Sequence, residues 1–70
     1  MNEKQIKHGD YTFRLTRRRY GRQFFCWAEL CVDGGFTSLG DPWPCATPKA
    51  AELIAAADDW HRTHTVTLCR

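Results

Sequence analysis

Residues 24–32, FFCWAELCV, constrain what this chain can fold into more than any other stretch. Side chains alternate along an extended backbone, so Phe24, Cys26, Ala28, Leu30 and Val32 share one side while Phe25, Trp27, Glu29 and Cys31 share the other. The first side is wholly apolar, and the second carries two aromatic rings and a carboxylate. A strand of this kind belongs in the middle of a small sheet, with a helix over its apolar side and its mixed side turned to water or a partner.

The flanking segments supply the rest of such a sheet. Tyr11, Phe13 and Leu15 alternate with Thr12, Arg14 and Thr16, the pattern of an amphipathic first strand. It runs into Arg17, Arg18, Arg19, Tyr20, Gly21, Arg22 and Gln23, where Gly21 permits a turn and the hairpin tip becomes strongly basic. Residues 1–9 show no periodicity and read as a loose leader ahead of a single domain over 10–70. Asp33-Gly34-Gly35 is a hairpin signal, and a third strand over 36–39 follows it. A two-residue turn at Asp33-Gly34 puts Phe36 and Ser38 on the Trp27 face; a three-residue loop puts them on the core face.

The second half of the chain reads as a loop and a helix. GDPWPC, residues 40–45, cannot continue a strand, and Trp43 is expected to fold back over one end of the core. Thr47-Pro48 is a helix-start signal, with the hydroxyl as cap and the proline at the first helical position. Ala50, Leu53, Ile54, Ala57, Trp60 and His61 then form an apolar stripe at spacings of three and four, with Lys49, Glu52, Asp58, Asp59 and Arg62 off it. Carboxylates near a helix C-terminus are unfavourable, so Asp58 and Asp59 predict fraying soon after Trp60. Residues 63–70 suit either a short fourth strand or a tail. The expected class is α+β: a three-stranded antiparallel sheet packed on one C-terminal helix.

Seventy residues allow one thin core, since a domain of this size hides only about 60% of the surface of its unfolded chain. Net charge is +2, but residues 1–35 hold seven Lys or Arg against four Asp or Glu, and residues 36–70 hold three against four. The positive charge belongs to the strand half. No segment approaches the roughly 18 apolar residues of a membrane helix, and the polar start has no secretory apolar run, so a cytoplasmic protein is expected. In that reducing compartment Cys26, Cys31, Cys45 and Cys69 read as free thiols or metal ligands. Cys26 and Cys31 point to opposite faces of one strand and cannot share a bridge or an ion without a bulge.

TSLGDPW, followed by Thr47 and the alanine-rich helix, resembles the third-strand-to-helix passage of the AP2-type and phage-integrase N-terminal DNA-binding domains. The resemblance covers residues 11–62 loosely. It implies a three-stranded sheet whose exposed face enters the major groove and presents Arg and Trp side chains, here Arg14 and Trp27.

The residues themselves offer two binding features. Arg17, Arg18, Arg19 and Arg22 with Tyr20 match phosphate oxygens and a stacked base, or else form a solvated tip that keeps the sheet edge soluble. Phe25 and Trp27 beside Arg14 form an aromatic patch rimmed by charge, unless the tail or the Trp43 loop covers them as a second small core. Cys45, His61, His64 and Cys69 contain a zinc-ligand set in type, but no close Cys-x-x-Cys pair, and no metal or other cofactor is expected. No oxyanion site or orienting group accompanies a Cys-His pair, so the expected function is noncatalytic. The chain reads as a binding module that contacts nucleic acid through its basic hairpin and Arg/Trp face. The alternative is a free-standing phage or mobile-element protein that binds and inhibits a host protein complex, as anti-CRISPRs do.

Overall fold

Three two-residue turns fold the first half of the chain into an antiparallel meander. The computed structural model describes residues 3–69, with β1 over Glu3–His8, β2 over Tyr11–Tyr20, β3 over Gln23–Val32 and β4 over Gly35–Ser38, in the spatial order β1-β2-β3-β4. One helix, α1 over Ala50–Arg62, follows. The α+β class holds, with one strand more than the alternation announces.

That strand is a correction. The stretch expected to be a loose leader pairs from Glu3 to His8 with Thr16 to Tyr11 of β2. Its sequence, EKQIKH, has one apolar side chain, Ile6, which packs against the core while its neighbours stay wet. An edge strand needs little apolar patterning, because its stability comes from the backbone ladder and its charges discourage further pairing. Gly9-Asp10 was the legible signal: Gly9 takes φ +60° in the two-residue turn that joins the pair.

At the third turn Asp33 and Gly34 take φ 51° and 80°, as a type I′ turn demands. Val32 therefore faces Gly35 and Cys31 faces Phe36, which sets Phe36 and Ser38 on the Trp27 face. The apolar side of β3 is buried from Cys26 to Leu30, as its alternation requires. Phe13, Leu15, Cys26, Ala28 and Leu30 join Leu53 and Ala57 of α1 in one core. Phe13, Cys26, Leu30 and Leu53 are fully enclosed, and burial of such apolar side chains stabilises the fold by about 1.5–3 kcal/mol each.

Beyond β4 the chain stays on the β3 edge. The Leu39 amide donates to the Ala28 carbonyl at 3.0 Å, and Trp43 and Cys26 exchange two backbone hydrogen bonds of 2.9 Å. Trp43 thus closes one end of the core and satisfies β3 backbone groups that the short β4 does not reach.

The helix start differs from expectation. Lys49 is extended (φ −70°, ψ 149°) and is the N-cap, so Pro48 lies outside the helix and the Thr47 hydroxyl does not cap it. The Glu52 and Leu53 amides donate to the Lys49 carbonyl instead. At the other end the helix stops at Arg62, soon after Trp60 as expected. Its two late carboxylates have partners that offset the unfavourable dipole: the Tyr11 hydroxyl donates to Asp58 Oδ1, and Arg62 lies 3.4 Å from Asp59. Ring stacking of His64 on Trp60, at 4.0 Å between centroids, adds to the end of the helix.

The tail returns to the sheet. Leu68 forms an antiparallel bridge with Val32, the Asp33 amide donates to the Thr67 carbonyl at 2.8 Å, and the Thr67 amide donates to the Asp33 carboxylate at 2.9 Å. Residues 63–69 are therefore a tail with one strand-like contact. Cys69 forms a disulfide with Cys31, while Cys26 and Cys45 carry free thiols. The expectation of free thiols or metal ligands fails for Cys31 and Cys69 because the bridge at Leu68 sets the tail beside Cys31, a proximity that spacing along the chain does not reveal. The free-thiol reading rested on a reducing compartment, whereas a bridge such as Cys31–Cys69 persists where the surroundings oxidise.

Two outcomes test this architecture. The disulfide closes a loop with sequence separation 38, so its reduction should cost about 2–4 kcal/mol and lower the melting temperature by roughly 10–20 °C, read by circular dichroism with and without reductant. An unchanged melting temperature would mean that the tail adds no constraint. The hydrogen bond to Asp58, followed by burial, holds the Tyr11 phenol up to about 12. Its folded-state value lies above the unfolded one, so this tie is fully present below about pH 10 and is lost as pH rises through 12. Ultraviolet titration should show one tyrosine ionising late, and Asp58→Ala should bring it back toward ordinary behaviour.

Candidate functional site

The β2–β3 hairpin outruns the helix that covers it. Ten residues in each strand span about 33 Å at 3.3 Å per residue, whereas thirteen helical residues span about 20 Å. The core ends at Leu15 and Cys26, and the hairpin beyond them carries the arginines. Gly21 takes φ +65° in the turn that joins Tyr20 to Gln23.

Register sorts the expected site residues onto two faces. Arg14 faces Glu29, Thr16 faces Trp27 and Arg18 faces Phe25, which puts Arg14, Arg18, Tyr20, Phe25 and Trp27 on the side away from the helix. Arg17 and Arg19 face Cys26 and Phe24 and point to the helix side, beyond the core. Arg22 stands in the turn. All eight residues lie on β2, β3 or their turn, but no single face brings all of them together.

On the outer face Tyr20, Phe25 and Trp27 form one aromatic cluster. Ring centroids lie 5.8 Å apart for Tyr20 and Phe25, 6.3 Å for Tyr20 and Trp27, and 6.3 Å for Phe25 and Trp27. The first two pairs meet edge to face, the geometry that aromatic quadrupoles favour. Tyr20 remains 55% exposed, while Phe25 and Trp27 are half-buried by the cluster itself. Of the two alternatives, coverage by the tail or the Trp43 loop is not met: the tail pairs beside Val32, at the far end of β3, and Trp43 packs on the helix-side core. Next to the cluster, Thr16, Arg18, Trp27, Glu29 and Ser38 line an open groove of about 420 Å³.

Arg14 is differently placed from the others. Its Nε donates to Glu29 Oε1 at 2.8 Å and its second guanidinium nitrogen donates to Oε2 at 3.0 Å. Its guanidinium carbon also lies 4.3 Å from the centre of the Phe36 ring. The hydrogen bond to Glu29 raises the already high pKa of Arg14, so the group is a fixed cation bound along one edge and over one face. Glu29 and Phe36 are the partners that sequence reading missed; only the pairing register, not the order of residues, places them around Arg14. Arg19 is also tied, through Nε to the Gly21 carbonyl at 2.8 Å and over the Phe24 ring at 5.9 Å. Phe24, expected on the core side, is 40% exposed there because the helix does not reach it. Arg17, Arg18 and Arg22 make no ion pair or side-chain hydrogen bond among the described residues.

The remaining chemistry-bearing groups lie elsewhere. Burial pushes the Cys26 thiol up, which suits a core side chain rather than a nucleophile. Cys69 is bonded to Cys31, so the zinc-type set of Cys45, His61, His64 and Cys69 is broken, and among the described residues no three His, Cys, Asp or Glu are grouped to hold a metal ion. A cavity of about 580 Å³ lies between Lys7, Asp10 and His61 and the tail residues Val66, Thr67 and Leu68, at the opposite end of the sheet from the arginines. No helix among the described residues is long and apolar enough to cross a membrane.

Scans of protein-family models, curated proteins and solved structures find no match to this chain. Function must therefore be argued from the hairpin itself.

The half-buried Arg14–Glu29 pair joins directly opposed residues with bidentate geometry. A double-mutant cycle of Arg14→Ala and Glu29→Ala should give a favourable, non-zero coupling. A coupling of zero would mean that Arg14 is free to engage a ligand.

Proposed function

We propose that this protein is a noncatalytic module that binds nucleic acid through the β2–β3 hairpin. The observation that carries the reading is the uncovered half of that hairpin: Arg17, Arg18 and Arg22, without an ion-pair or side-chain hydrogen-bond partner among the described residues, beside the exposed ring of Tyr20. Three guanidinium groups within one turn and its flanks form forks that match phosphate oxygens. The rest of the chain carries no competing concentration of positive charge.

Phosphate recognition by arginines makes affinity fall with salt, because bound counterions are released from the nucleic acid. Fluorescence anisotropy with labelled DNA and RNA should give a slope of about −2 to −4 in log affinity against log salt. Replacement of Arg17, Arg18 and Arg22 together by alanine should weaken binding to every sequence and flatten the slope by about one unit per lost contact. Salt-independent binding, or a triple variant that binds like the parent, would remove the reading.

The aromatic cluster supports a second reading on the same surface. Tyr20, Phe25 and Trp27, rimmed by Arg14 and Arg18, have the composition of a protein-interface anchor. A protein that inhibits a host complex by occupying its nucleic acid site, of the kind phages and mobile elements encode, would use the rings as anchors and the arginines to steer encounter. Both readings need the same hairpin and differ in whether nucleic acid alone suffices as ligand.

A further inference from the structure

Phosphate contacts leave open which form of nucleic acid the hairpin takes, and the outer face of the sheet narrows it. Duplex DNA keeps its bases stacked and shows only their edges, so a sheet that reads it needs hydrogen-bonding side chains aimed outward from the middle of the face. Arg14 is the cation in that position, and it is held by both oxygens of Glu29 and the ring of Phe36. Beyond Arg14 the face offers ring surface, set beside Thr16, Arg18 and Ser38 at the groove. Tyr20 is 55% exposed at the end of the hairpin, and Trp27 lines the groove that runs past Arg18.

Ring surface beside free arginines suits unstacked bases. Every base has a π-face, and one stacked on an aromatic side chain gains regardless of sequence, while neighbouring cations follow the backbone. The tilt between Tyr20 and Trp27, 66°, means that the two rings do not stack on each other. Arg18 lies on the same face as the rings, and Arg22 stands in the turn at their edge. The carboxylates on this face, Glu29 and Glu3, sit toward Arg14: Glu29 is bound to it, and Glu3, opposite Thr16 in register, lies close enough to add to the raising of its pKa. The hairpin end is therefore positive and aromatic together.

We infer that the outer face of the β2–β3 hairpin binds single-stranded nucleic acid, with bases stacked on Tyr20 and Trp27 and phosphates at Arg18 and Arg22. The inference rests on the nucleic acid reading above and specifies its ligand. Single-stranded DNA and RNA share this chemistry.

The test compares an oligothymidylate, an oligouridylate and a DNA duplex, each about twelve nucleotides or base pairs long, by anisotropy at low salt on the order of 20 mM. At least one single strand should bind roughly tenfold or more tightly than the duplex, and the arm that binds names the source of the strand. Tyr20→Leu keeps an apolar side chain at an exposed position and should weaken single-strand binding about 5- to 100-fold with the salt slope unchanged. Tyr20→Phe, which keeps the ring, should bind like the parent. Arg18→Ala should instead flatten the slope by about 0.7. Equal or tighter binding of the duplex, or a Tyr20→Leu variant that binds like the parent, overturns the stacking inference and leaves phosphate binding standing. Binding of none of the three at low salt overturns both.

Discussion

One helix can cover only part of a long hairpin, and this mismatch governs the rest of the molecule. Leu53 and Ala57 share a buried cluster with Phe13, Leu15, Cys26, Ala28 and Leu30, and there the core stops. The strands do not stop. Their outer ends extend the molecule to 38 Å along its longest axis, against 22 and 17 Å across. A two-stranded ribbon without a core is marginal in water, so the uncovered end must be supported by its own side chains. Edge-to-face contacts among Tyr20, Phe25 and Trp27 on one face, and Arg19 over Phe24 on the other, do this without help from the helix. The groups that stabilise the ribbon are then the ones a ligand meets.

The opposite end is held by different means. There β2 leaves β3 beyond Phe13, and the tail takes up pairing beside Val32, fastened by the Cys31–Cys69 bridge and by Asp33. Tyr11, at the start of β2, ties the helix through Asp58. A thin core is thus supplemented by a covalent link and a hydrogen bond at one end, which is how domains of this size commonly compensate for limited buried area. The division leaves one end fixed and the other exposed.

Much of this was legible in the residues, and the rest was not for definable reasons. The alternation in β3 announces its two faces, and the helix stripe of Leu53, Ala57 and Trp60 follows from spacings of three and four. Strand β1 escaped because an edge strand is held by backbone pairing and has no need of apolar alternation. The disulfide escaped because it depends on where the tail lands, and the helix start shifted because Lys49 stays extended after Pro48. Among the site residues, the arginine run and the two aromatics of β3 are visible as a string, but the tie between Arg14 and Glu29 is a matter of register. Order along the chain cannot distinguish an arginine that faces a carboxylate from one that faces a ring, and that distinction separates Arg14 from Arg18.

The central claim is that the uncovered half of the β2–β3 hairpin is the binding surface. The most direct measurement is a two-dimensional amide NMR spectrum of the labelled protein during titration with a short single-stranded oligonucleotide. The account predicts shifts concentrated at residues 16–27, with the Trp27 indole among them and α1 unchanged. Shifts centred on α1 or on the cavity beside His61, with the hairpin silent, would contradict it.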